Sequence, residues 1–140
     1  MAMTERHVMI SQEELKNIRE LYEGVMSSAS HGLFFKEGSI IGIGVASIAN
    51  RDKATYFETC RRVLREKNWV KEVRFEADTV VVSGSIEASR GDSPTCHRLR
   101  GIIRKIYEVY MDKKIYCQEI ECESTGRDRC TFKIISETKW

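Results

Sequence analysis

The sequence predicts an α+β domain built on an antiparallel sheet, and three observations predict it. Apolar residues recur at helical spacing in the N-terminal half, and the period changes to two near residue 70. It returns to helical spacing over residues 94–111 and to two beyond residue 114. Each period-two stretch is broken by a turn sequence, which makes it a hairpin, so the order is helices, hairpin, helix, hairpin.

The elements follow in order. Residues 6–10, RHVMI, are expected to form a short strand. Ser11 opens a helix with Glu14 three residues on, the pattern of a capping box. Leu15, Ile18, Leu21, Tyr22 and Val25 then carry an amphipathic helix over 12–29. SASHGLFFKEG, residues 28–38, is expected to interrupt it. In GSIIGIGVASIA, Gly42 and Gly44 suggest a dinucleotide loop, but no strand precedes them and Ser47 stands where the third glycine belongs. Gly38, Gly42 and Ala46 instead form a smooth helical stripe for close packing.

Residues 54–69 read as a second amphipathic helix with Phe57, Cys60, Val63 and Leu64 on its apolar face, where Cys60 is a small buried hydrophobe. Val73 and Phe75 alternate with charges, EADT turns, and TVVVSGSI is rich in β-branched residues. Pro94 is placed in the first turn of the next helix, marked by Leu99, Ile102, Ile103, Ile106 and Tyr110. KKIYCQEIECES alternates, TGRDR turns, and CTFKII is the last strand.

At 140 residues the chain is expected to be one domain, 1–140, with 41% hydrophobic and 31% charged residues as in soluble proteins. A net charge of +2 argues against direct nucleic-acid binding. Arg61, Arg62, Arg65, Lys67 and Lys71 are interleaved with Glu58, Glu66 and Glu72, the mark of a solvated helix face. The N-terminus lacks the apolar core of a signal peptide, and the most apolar run, GSIIGIGVASIA, reads as too short to span a bilayer. The expectation is a cytoplasmic protein without a membrane partner, where five cysteines suggest metal or redox chemistry before structural disulfides.

Strand alternation places Ile115, Cys117, Glu119 and Glu121 on one face and Tyr116, Gln118, Ile120 and Cys122 on the other, with a bulge or turn needed to re-aim Cys122. Cys122 and Cys130 flank the turn ESTGRDR, where Gly126 gives the backbone freedom, and Cys96 opens the long helix. Cys96, Glu119, Cys122 and Cys130 can therefore converge. Three thiolates and a carboxylate suit tetrahedral Zn²⁺, while reduced thiols and a disulfide are the competing readings. The resulting cluster would need compensation, for which His97, Arg98, Arg127 and Arg129 are the candidates nearby in sequence.

Cys96, Gly101, the E-x-x-C of Glu119 and Cys122, Gly126, and the C-x-F of Cys130 and Phe132 together resemble the C-terminal half of a 4-vinyl reductase domain, and helices followed by a hairpin agree with its N-terminal half. The resemblance implies helices on one face of an antiparallel sheet, the fold also of small TRAPP subunits, and usually a homodimer. It implies a zinc held at the positions of Cys96, Glu119, Cys122 and Cys130, and a domain that senses phenols or other hydrocarbons on behalf of a regulatory protein. A chain of this length is expected to lack the ATPase and helix-turn-helix domains of a complete regulator. Cys117 is an additional thiol that could line the ligand pocket, exchange as a metal ligand, pair with Cys96 on oxidation, or merely pack.

The leading functional reading is a hydrophobic-ligand binding or sensory domain with structural zinc, the ligand lying between sheet and helices against Phe75, Tyr107, Tyr110, Cys117 and Trp69. A redox-sensing thiol domain is the alternative. A reductase acting on a vinyl group finds no nicotinamide or flavin fingerprint, and no carboxylate or hydroxyl is evident to work with His31 or His97 as a base, so no catalytic residue is assigned.

Overall fold

The computed structural model describes residues 5–91 and 93–136. Ser11 caps α1 (Gln12–Met26) in a reciprocal box: its hydroxyl accepts from the Glu14 N–H, and the Glu14 carboxylate accepts from the Ser11 N–H. The helix ends at Met26, short of residue 29, and none of its residues is buried. Residues 6–10 are exposed and lie outside the sheet, so the expected strand is absent there. Five alternating residues do not make a strand without a neighbour to pair with.

The segment 28–38 does not interrupt the helices but opens α2 (Ala29–Ala49). Ser30, Phe34, Gly38, Gly42, Ala46 and Ala49 supply its buried stripe, and most of them are too small or polar to register as apolar periodicity. The apolar run judged too short for a bilayer thus belongs to a 21-residue helix with the length and composition to cross one. Here that helix packs its glycines against α4 (His97–Met111). A Cβ on Gly38 would meet the Arg98 carbonyl oxygen at 1.9 Å, and one on Gly42 the Lys105 Cβ at 2.7 Å. The glycine part of the small-residue stripe therefore serves packing within the chain.

A 3₁₀ turn (Lys53–Thr55) leads into α3 (Tyr56–Glu66), which buries Tyr56, Cys60, Val63 and Leu64. Its basic face is solvated and paired, Arg61 with Glu58 and Glu72, and Arg62 with Glu66. Strands β1 (Glu72–Phe75), β2 (Thr79–Ser83), β3 (Ile115–Glu121) and β4 (Cys130–Ser136) form one antiparallel sheet in the order β1-β2-β4-β3. The register puts Val73 opposite Val82, Val80 opposite Phe132, Val82 opposite Cys130, and Cys117 opposite Ile134. These residues share the face that α3 and α4 cover. Tyr116, Ile120 and Ile135 lie exposed on the other face.

Pro94 precedes α4 and its N-cap, Cys96, rather than lying in the first turn. Between β2 and α4 the chain crosses the end of the sheet, and Glu87 closes that crossing. Its carboxylate accepts from the Leu99 N–H at 2.8 Å and the Arg98 N–H at 3.3 Å, capping α4 from a distance in sequence.

Candidate metal centre and ligand groove

A bulge solves the alternation problem in β3. Glu119 faces Phe132 while Glu121 faces Thr131, so Ile120 is an extra residue with no partner of its own. Glu119 stays on the helix-covered face. Glu121 turns to the other and accepts from the Thr131 hydroxyl at 3.2 Å. Cys122, one residue on, is buried against Cys96 and Cys130.

The sulfurs form a near-regular triangle: Cys96 to Cys130 is 3.7 Å, Cys96 to Cys122 3.9 Å, and Cys122 to Cys130 4.0 Å. A disulfide needs about 2.05 Å, and all five cysteines are free. A tetrahedral ion about 2.3 Å from each sulfur would space them about 3.8 Å apart, the triangle seen here. Glu119 completes the group, with its ligand atom and the three sulfurs all within 4.8 Å of one another. Its Oε2 is buried without a hydrogen-bond partner. A buried carboxylate oxygen with no donor is costly, and a cation among three sulfurs would satisfy it.

Electrostatics point the same way. Burial, followed by the neighbouring Cys122, pushes the Glu119 carboxyl up to about 9. Hydrogen bonds from Cys130 and Cys96 hold the Cys122 thiol far below its ordinary range, while the bonds to Cys122 hold Cys96 and Cys130 above theirs. Without a cation the cluster thus concentrates its negative charge on one sulfur. A divalent ion would let the others ionise, and the donor set fits Zn²⁺ in a closed, four-ligand site.

The compensating donors differ from those expected. Arg98 turns away to Glu37 and Glu87 and covers the Phe34 ring, and His97 stacks on His31. Arg129 approaches Glu121 at 3.8 Å. The sulfurs receive instead the Glu123 N–H at 3.3 Å on Cys130, and the Ser85 hydroxyl stands 3.2 Å from Cys96. The Glu123 carboxylate accepts from the Gly84 and Ser85 N–H groups, drawing the β2 end over the cluster. Sequence reading missed Ser85, Glu87 and Glu123 because their partners are backbone groups far along the chain, which leave no spacing pattern.

The five proposed ligand-contacting residues do not form one site. Phe75, Tyr107 and Tyr110 surround Phe57, with ring centroids 5.3, 5.1 and 4.7 Å from it. Trp69 lies outside this cluster, and its backbone bonds Leu64 and Ile86. Cys117 lines a separate groove of about 560 Å³ with Phe35, Ile40, Tyr116, Arg100 and Arg104. There Arg100 lies 4.2 Å over the Phe35 ring. Burial pushes the Cys117 thiol up to about 12, so it is neutral and no part of the metal cluster.

The comparisons with known proteins agree with this fold. The phenol-responsive sensory domain of the transcription activator PoxR, crystallised with phenol, superposes with a TM-score of 0.79 over 93% of this chain and 76% of its own, at 18% identity. A vinyl-4-reductase family protein from Methanocaldococcus jannaschii gives 0.64 over 91% and 88%, at 15% identity. A trafficking protein particle complex subunit 3 from Naegleria fowleri, covalently bound to palmitic acid, gives 0.54 over 91% and 98%, at 11% identity. No curated protein matches the chain. The family model of the 4-vinyl reductase domain matches residues 78–136, which span β2, α4 and the hairpin that carries all four cluster residues. This chain therefore carries a 4-vinyl reductase domain.

Proposed function

We propose that the chain is a single small-molecule sensory domain in which Zn²⁺, held by Cys96, Glu119, Cys122 and Cys130, fixes the β3–β4 hairpin to the start of α4. The observation that carries the metal reading is the donorless Glu119 Oε2 buried beside three sulfurs. When bound, the ion would supply structural cross-linking rather than catalysis, because four protein ligands leave it no open position.

The ligand is a small hydrophobic or aromatic molecule. Support comes from the 4-vinyl reductase domain match, from the phenol named for the PoxR domain, and from a groove of about 560 Å³, within the ordinary range for ligand sites. The groove has an apolar floor of Phe35, Ile40 and Cys117, with Arg100 and Arg104 at its side to orient a polar substituent. Phe75, Tyr107 and Tyr110 keep a role as the aromatic wall beneath the helices, and Trp69 packs beside the core. The domain works in the cytoplasm as a homodimer and passes its signal to a regulatory protein partner. Support for the dimer shifts from the glycine stripe to Leu21, Val25, Ile40 and Ile43, which α1 and α2 leave exposed.

Native mass spectrometry of the full chain tests both parts together, with thermal shift against phenol and other substituted benzenes. One tightly held zinc per chain and a stabilising shift with at least one aromatic compound are expected. Metal-free protein indifferent to every aromatic would overturn the reading. A redox reading draws on the depressed Cys122 thiol among its neighbours. It predicts that peroxide expels the metal as two thiols join in a disulfide, and that a dithiol reductant restores it.

A further inference from the structure

Among the described residues, two buried side-chain nitrogen or oxygen atoms have no hydrogen-bond partner. One is Glu119 Oε2, in the cluster above, and the other is His97 Nε2. His97 is 8% exposed and is the first residue of α4, so it directly follows Cys96 but faces the opposite way, toward α1 and α2. There it meets two groups of complementary chemistry. The His31 ring of α2 stacks on it with centroids 3.9 Å apart and an interplanar angle of 17°. Glu23 of α1 places Oε2 2.6 Å from His31 Nε2. Sequence reading found no carboxylate for either histidine, and the structure brings one from the preceding helix.

We propose that Glu23, His31 and His97 form a second metal site, distinct from the sulfur cluster, for a borderline divalent ion such as Zn²⁺, Co²⁺ or Ni²⁺. Two imidazoles and one carboxylate are a donor set suited to these ions and poorly suited to Ca²⁺ or Mg²⁺. The three ligand atoms lie within 4.8 Å of one another. An ion about 2.0–2.1 Å from each would bring them to about 3.4 Å. His97 is fixed in the interior, whereas the Glu23 and His31 side chains are each 28% exposed and free to swing the remaining distance. The swing also unstacks the rings, as coordination in both ring planes requires. Arg19 binds Glu23 Oε1 at 3.0 Å, which leaves Oε2, the oxygen already aimed at His31, for the ion. Partial exposure on the α1 side leaves the fourth position to water or an exchangeable ligand.

Such a site would do what α1 cannot do by burial. That helix has no buried residue, so its docking rests on edge contacts such as Tyr22 on Phe34 and on Glu23 itself. An ion bridging Glu23 to His31 and His97 would pin α1 to α4 one residue from Cys96, so that metal supply would set the mobility of α1.

Cobalt titration of the full chain, freed of metal by chelation under reducing conditions, tests the site. The first equivalent should bring the near-ultraviolet thiolate-to-cobalt charge transfer of the cysteine cluster. A second should add visible absorption with no further charge transfer. Native mass spectrometry should count two ions per chain. Glu23→Gln and His31→Ala lie outside the sulfur cluster and should keep the first equivalent. Each should weaken the second by more than the roughly 10–100-fold that follows loss of a mere supporting contact. Saturation of the wild-type chain at one equivalent would overturn the proposal, as would a second equivalent that binds both variants as tightly as wild type. Should one variant fail to keep the native circular dichroism, the other decides.

Discussion

Gly38 and Gly101 meet where α2 crosses α4, so closely that a Cβ on Gly101 would lie 3.1 Å from the Gly38 Cα and 2.1 Å from the Phe35 carbonyl oxygen. Both obstacles are backbone and cannot swing aside. Gly101→Ala must therefore push the helices apart, and we expect a loss of about 3 kcal/mol or more, at the upper end for overpacking. Gly44→Ala on the open side of α2 meets nothing within 4 Å. It should gain up to about 1 kcal/mol from helix propensity. Urea denaturation of the two variants beside wild type measures both, and equal effects would contradict the crossing.

Cys130→Ala removes one corner of the sulfur triangle. Metal binding energy at such a site is folding energy, so the variant should lose its zinc and more than about 3 kcal/mol, seen as a drop on the order of 10 °C in Tm. Metal content by plasma emission and a calorimetric melt check it. Unchanged values in both would remove the metal centre from the account.

Thiol reactivity separates the cysteines. In the metal-loaded protein Cys117 should alkylate before Cys96, Cys122 or Cys130, though slowly, since burial raises its thiol to about 12 and leaves little thiolate. Cys60 should be equally slow for the same reason. Chelation should reverse the order, with Cys122 now fastest because its neighbours hold it ionised. Site-resolved peptide mass spectrometry reads the sequence of labelling. Free labelling of the three cluster cysteines before chelation would favour redox sensing over structural zinc.

Glu87 should make stability depend on pH. Burial raises its carboxyl from 4.5 to about 7, against the pull of the Leu99 N–H and the Arg98 charge. A carboxyl raised on folding contributes fully below its unfolded value and loses that contribution as the pH climbs through its folded value. Wild type should therefore lose stability relative to Glu87→Gln between pH 4.5 and 7, by an amount on the order of 1–3 kcal/mol, and no further above that range. Urea midpoints at four pH values give the slope, and a relative gain for wild type over this window would refute it.

Ile40, 71% exposed on α2, lies on the face assigned to the second copy. Ile40→Glu should convert a dimer to a monomer without altering metal content. Light scattering at micromolar concentration checks it, and a wild-type chain already monomeric there would dispose of the dimer.

Much of the cluster was legible because its ligands come from regular elements. Period two put Glu119 on the covered face, helix spacing put Cys96 at the start of α4, and the Gly126 turn returned Cys130 beside Cys122. The start of α2 was not legible, because Ser30, Gly38 and Gly42 bury themselves through smallness and smallness carries no hydrophobic signal. Residues 6–10 misled for the opposite reason, an apolar alternation with no strand beside it. The ligand-contacting residues were scattered because aromatic periodicity tells which side chains face inward, not whether they close on each other. Phe57 gathered Phe75, Tyr107 and Tyr110, and left Cys117 to a different groove.

The extra residue at Ile120 makes the metal cluster a matter of counting. Glu119 and Cys122 stand an odd number of positions apart, and strict alternation would send them to opposite sides of the sheet. The bulge takes one position out of the count, and both then face α4. Replacing Ile120, exposed on the outer face, leaves the count alone. Deleting it leaves the outcome alone, since Glu119, Glu121 and Cys122 then alternate in, out and in without a bulge. An added residue does neither. If the bulge stays, Cys122 turns to solvent; if the bulge is ironed out, Cys122 slides about 7 Å along the strand, past Cys130. Length at this point can shrink by one and cannot grow, so drift in the gene is open here in one direction only.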